Sequence, residues 1–89
     1  MKLSENFVLR QIAGDYYVFP VGGDAPEGIF ALNATGLLIW QGLEQGEDHD
    51  ALVRRITEEY AVSADQAAKD LGIFLEKLAS YGCLEEDKA

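Results

Sequence analysis

Basic residues are scarce. Seven Lys and Arg stand against sixteen Asp and Glu, a formal net charge of −9. Proteins that bind nucleic acid draw much of their affinity from neutralising phosphates, so this chain would repel such a partner. An anionic membrane surface is disfavoured for the same reason. The deficit runs along the whole chain: to residue 45 two bases face five acids, and beyond it five face eleven. The two parts therefore carry −3 and −6, and neither holds a basic stripe. A basic or mixed-charge peptide or protein suits such a surface better. Cysteine is limited to Cys83, which excludes an internal disulfide. Long apolar runs are lacking too. The longest runs have four residues, Leu37-Leu38-Ile39-Trp40 among them, far too few to span a membrane, and residues 1–6 lack the apolar stretch of a signal peptide. A cytoplasmic chain is the economical expectation.

Reactive constellations are also missing. Cys83 has no second cysteine and no neighbouring histidine, which argues against catalysis or metal binding there. No nucleophile–base pair and no metal-spaced cluster stand out, and Gly22-Gly23 lacks the spacing of a nucleotide loop. A non-enzyme without cofactor or metal is expected. His49, Glu58-Glu59 and Glu85-Glu86-Asp87 read as solvated surface, as do Arg54 and Arg55, which could otherwise meet an acidic patch on a partner.

What is present is a core-forming pattern. With 48% apolar residues, 89 residues make one domain, ordered from about residue 3 to 84 and ending in an acidic tail, 85–89. The first third reads as strands. Phe7 to Ala13 and Tyr16 to Val21 flank a turn at Gly14-Asp15, close enough for an antiparallel hairpin. Pro20 belongs near a strand end. Gly22 to Gly28 is a loop by composition, followed by a short strand, Ile29-Phe30-Ala31-Leu32. Asn33 caps a helix from Ala34 to roughly Glu44 that is apolar nearly all round, the pattern of a buried centre. Trp40 falls there as a core residue. A second helix, His49 to Tyr60, turns Leu52, Val53, Ile56 and Tyr60 to one face. Ser63, with Gln66 in a capping-box position, opens the last helix, which stops at Gly82. Its inward stripe is Ala67, Leu71, Phe74, Leu75 and Leu78, and Cys83-Leu84 docks as a short extended end. Three antiparallel strands followed by three helices make an α+β fold of the winged helix-turn-helix type.

Two features point to a binding surface. If the first two strands pair as a hairpin, the strand Ile29 to Leu32 is a free edge offering unpaired main-chain groups. Ile29 and Ala31 face one side of it, Phe30 and Leu32 the other, and Ala31 is small enough for close approach. On the last helix Ile73 lies opposite the inward stripe, among polar neighbours. Asp70, Ile73, Lys77 and Tyr81 form a strip bordering Phe74, mixing an apolar anchor, both charge signs and a tyrosine. Such a strip suits the wall of a peptide groove.

The run Leu32-Asn33-Ala34-Thr35-Gly36-Leu37-Leu38-Ile39-Trp40 resembles the pyrroloquinoline quinone synthesis protein D (PqqD) family. Phe7-Val8-Leu9-Arg10 with Gly14-Asp15-Tyr16, and Asp70-Leu71, Phe74-Leu75 and Leu78 with Gly82-Cys83-Leu84, extend the resemblance over roughly residues 3 to 84. It implies a non-catalytic precursor-peptide recognition element. The leader of a ribosomally made peptide would add as a strand beside Ile29, Phe30, Ala31 and Leu32 and lie against Asp70, Ile73, Phe74, Lys77 and Tyr81. The domain would then present it to a modifying enzyme, often a radical S-adenosylmethionine enzyme. Two other readings stand beside it. One is a winged-helix DNA-binding protein, against which the sparse bases count. The other is a structural subunit that docks a folded protein through Ile73. An exposed edge can also pair with its own copy as a homodimer.

Overall fold

A computed structural model describes residues 2–21 and 30–85. The elements run β1 (Lys2–Leu3), β2 (Phe7–Ile12), β3 (Asp15–Pro20), β4 (Phe30–Leu32), α1 (Ala34–Glu44), α2 (His49–Tyr60), α3 (Ala64–Ser80) and β5 (Leu84–Glu85). A three-stranded antiparallel sheet of order β2-β3-β4 precedes three helices, the α+β order expected. The expected loop at residues 22–28, and Ile29 with it, lie outside the described residues.

The hairpin turns one residue earlier than its sequence suggests. Ile12 pairs with Asp15 around a two-residue connection, Ala13-Gly14, with φ of 54° and 88°. Positive φ at both positions marks a type I′ turn, whose twist matches the flanking strands. Ala13 is a costly residue there, which is why the sequence favours the neighbouring Gly14-Asp15.

α1 is capped as expected: the Asn33 side chain accepts a 2.7 Å hydrogen bond from the Gly36 N–H. Its apolar surround places Ile39, Trp40 and Leu43 in the core with Val18, Leu52, Ile56, Leu71 and Leu78. The Trp40 indole N–H is buried with no hydrogen-bond acceptor among the described residues. At Gly42 an added Cβ would come within 2.5 Å of the Leu52 side chain, so this glycine sets how closely α1 and α2 pack.

The end of α3 is a Schellman motif. Cys83 N–H donates to Leu78 C=O at 2.9 Å and Gly82 N–H to Ala79 C=O at 3.1 Å, with Gly82 at φ 80°. The reversal buries Cys83 and leads into β5, which pairs with β1 in the register Lys2↔Glu85 and Leu3↔Leu84. Glu85 is therefore paired rather than part of a frayed tail; residues 86–89 are not described. Ser4 N–H donates to Cys83 C=O at 2.7 Å and extends this clasp.

Three further expectations need correction. Arg55 is not simply solvated: its guanidinium donates to both Glu47 carboxylate oxygens, at 2.6 and 2.9 Å, across the α1–α2 turn. The pair holds the Glu47 carboxyl below its usual range and the guanidinium above its own. Tyr60 is 39% exposed rather than on the buried face, because the chain leaves α2 immediately after it at Ala61, φ 52°. Gln66 does not close a reciprocal capping box. Ser63 accepts from its N–H at 3.1 Å, but the Gln66 amide donates to Asp70 Oδ1 at 2.9 Å.

Burial pushes the Cys83 thiol up to about 11. A disulfide-exchange reagent at pH 8 should therefore label it slowly in the native protein and quickly in denaturant. With the folded value raised, stability should fall as pH climbs from the ordinary thiol range through about 11. Fast native labelling at pH 8 would show that the clasp over Cys83 opens readily.

Candidate functional site

Among the described residues β3 is the central strand, so β4 is an edge of the sheet they form. The turn parity decides which β4 residue faces outward. Ile12 and Asp15 flank a two-residue turn and form a hydrogen-bonded pair; alternation along β3 then directs the main chain of Tyr17 toward β2, and that of Tyr16 and Val18 toward β4. Tyr16 pairs with Leu32, Tyr17 with Ala31 and Val18 with Phe30. The N–H and C=O of Ala31 therefore point to the open side, whereas those of Phe30 and Leu32 meet β3. Ala31 is exposed, while the Phe30 and Leu32 side chains are buried toward the helices. Of the three expected edge residues that are described, Phe30, Ala31 and Leu32, Ala31 is the one whose main chain is on offer; Ile29 is not described.

Alongside β4, α3 supplies the wall. Asp70, Ile73, Phe74 and Lys77 line one open cleft of about 390 Å³ together with Asn33, Thr35, Gly36 and Ile39. A second, of about 350 Å³, is lined by Ala31, Leu32, Asn33, Phe74 and Lys77. Asn33, Phe74 and Lys77 belong to both, so the two form one groove from the β4 edge to the start of α1. Ile73 is 60% exposed, which fits its position off the inward stripe.

Tyr81 does not line either cleft. It is half-buried and its ring stacks on Phe30, with centroids 4.6 Å apart and planes 14° from parallel. It supports the strand from beneath. The Lys77 Nζ lies 5.8 Å from the Phe30 ring centroid, in cation–π range.

Sequence reasoning missed Thr35, Gly36 and Ile39 as groove residues and assigned Asn33 only to capping. An added Cβ at Gly36 would sit 2.9 Å from Phe74 Cε1, so the missing side chain is what lets the Phe74 ring lie against α1. A glycine in the first turn of an otherwise apolar helix was the available signal, since glycine lowers helix propensity and stays where close approach needs it.

The sequence matches the family of coenzyme PQQ synthesis protein D (PqqD) over residues 24–84. The chain belongs to the PqqD family. Its fold is similar to that of TbiB1 in complex with the TbiA(beta) leader peptide, with a TM-score of 0.85, 30% identity and full coverage of both chains. Lasso peptide synthetase B1 complexed with the leader peptide shares the fold at a TM-score of 0.80 and 22% identity, over 96% of each chain. No curated protein matches the sequence. Among the described residues of this PqqD-family chain, no helix is long and apolar enough to cross a membrane, and no group of His, Cys, Asp or Glu could hold a metal ion.

Proposed function

We infer that this chain is a leader-peptide-binding module of ribosomal peptide modification, holding the leader as an added strand on β4 and against α3. The observation that carries the reading is the coincidence of an edge strand with outward Ala31 groups and an adjoining groove containing an exposed isoleucine. Main-chain pairing supplies affinity in such an arrangement, and pockets for alternate side chains supply selectivity. Family membership supports it, and so does the likeness to TbiB1, which is itself seen with a leader peptide. The module carries no reaction of its own in this reading. It presents the peptide to a modifying enzyme, a radical S-adenosylmethionine enzyme being one candidate. The DNA-binding alternative loses ground because Arg55 is committed to Glu47 and α3 places Asp65, Asp70 and Glu76 among its two lysines.

The test is titration with a synthetic leader of the cognate precursor. Micromolar or tighter binding is expected, about −8 kcal/mol or better. Amide shifts should appear together in Phe30–Leu32 and in Asp70–Tyr81; shifts confined to α2 would reject the site.

Ile73→Glu separates binding from folding. With the side chain 60% exposed in the free domain, the substitution should leave the melting temperature nearly unchanged. It should weaken leader binding at least about tenfold, some 1.4 kcal/mol, because it sets a charge on the apolar wall. Equal affinity for both proteins would remove Ile73 from the site.

A further inference from the structure

We propose that Lys77 selects the peptide by charge: the strand added to β4 carries an acidic side chain two residues from its apolar anchor, on the same face. The proposal rests on the leader-binding reading and adds the chemistry of the residue recognised. Side chains of an added strand alternate, so those turned toward α3 recur every second residue, about 7 Å apart. An apolar one seats against Ile39, Ile73 and Phe74. Lys77 lines this cleft and also the cleft beside Ala31 and Leu32, so the next inward position falls beside its ammonium.

Lys77 is the sole basic residue among those lining either cleft. Among the described residues the one ion pair joins Arg55 to Glu47, and the Lys77 ammonium rests over the Phe30 ring instead of on a carboxylate. The acid of the same cleft, Asp70, receives the Gln66 amide and stands two helical turns away, about 10 Å along the axis. Among the described residues, the groove therefore presents a cation with no carboxylate answering it. The chain as a whole, at −9, repels acidic peptides in general, which makes one acid at one position a mark of register. Shifted by a single residue, that acid would turn to the outer face of the sheet and lose Lys77.

The experiment selects a randomised peptide library on the full chain, in parallel with Lys77→Glu and Lys77→Gln, with Ile73→Glu as groove control. The wild type should enrich Asp or Glu two positions from an apolar residue. Lys77→Glu should enrich Lys or Arg at that position, and Lys77→Gln should lose the preference. For one selected acidic peptide, Lys77→Glu should cost about fivefold in affinity, the scale of an exposed ion pair, and exchanging the peptide acid for lysine should restore it. If wild type and Lys77→Glu return the same consensus while Ile73→Glu loses it, the groove stands and the charge rule is wrong. If Ile73→Glu retains every selected peptide, the groove reading fails and the charge rule falls with it.

Discussion

Ala31→Pro should abolish leader binding, by about a hundredfold or more, while preserving the helical circular-dichroism signal. Proline at this position removes the one main-chain donor of β4 that points to the open side and pushes its ring into the path of the incoming strand. The N–H lost is not one that pairs with β3, since Tyr17↔Ala31 is the pair whose main-chain groups diverge. An edge strand accepts proline in that orientation, and the extended backbone preferred before proline is what Phe30 already has in β4. Phe30→Pro should behave in the opposite way. It breaks main-chain pairing with Val18 and deletes the ring that stacks on Tyr81, so the fold itself should weaken by about 3 kcal/mol or more. Ala31→Ser, which keeps the N–H, should bind almost as the wild type does. If Ala31→Pro and Phe30→Pro both stay folded and bind normally, the peptide is not added as a strand, and docking reduces to side chains on α3.

Leu71→Asp should unfold the domain outright. Leu71, on α3, is 0% exposed and belongs to the same buried core as Trp40, Leu52 and Ile56. Truncating such a leucine alone costs about 2–5 kcal/mol, and a buried carboxylate without a partner adds several more. A domain of this size has roughly 5–10 kcal/mol in total, so the variant should show no cooperative thermal transition. Ile73, two residues on, should tolerate Glu. Together the two substitutions test the phase of α3 more sharply than Leu75 would, because Leu75 is only half-buried. A folded Leu71→Asp protein would mean that α3 is rotated from the orientation described.

The helices were readable because their signals are local. Asn33 and Ser63 cap where their short polar side chains predict, and Gly82 ends α3 because it alone takes positive φ without cost. Ile73 stood out for a similar reason, an apolar residue on a polar helical face. What the sequence hid depends on partners distant along the chain. β1 and β5 are two residues each, too short for any periodicity, and they exist only because the chain ends meet. Arg55 finds Glu47 across a turn, so neither shows its partner on a helical wheel. The choice between Phe30 and Ala31 as the outward residue required the position of the hairpin turn. A turn at Gly14-Asp15 would move the turn by one residue, pair Ala13 with Tyr16 and reverse the parity; the strained Ala13 kept the actual turn from being chosen. The depth of the groove rests on a side chain that Gly36 lacks, and an absent group has no pattern to read.

Amide hydrogen exchange at Ala31, with and without bound leader peptide, tests strand addition most directly. In the free domain this N–H faces the open edge and should exchange quickly, while those of Phe30 and Leu32 are held by β3. Saturating peptide should slow Ala31 by about tenfold or more, and by more than it slows Phe30 and Leu32. An Ala31 amide that exchanges equally fast with the peptide fully bound would contradict strand addition.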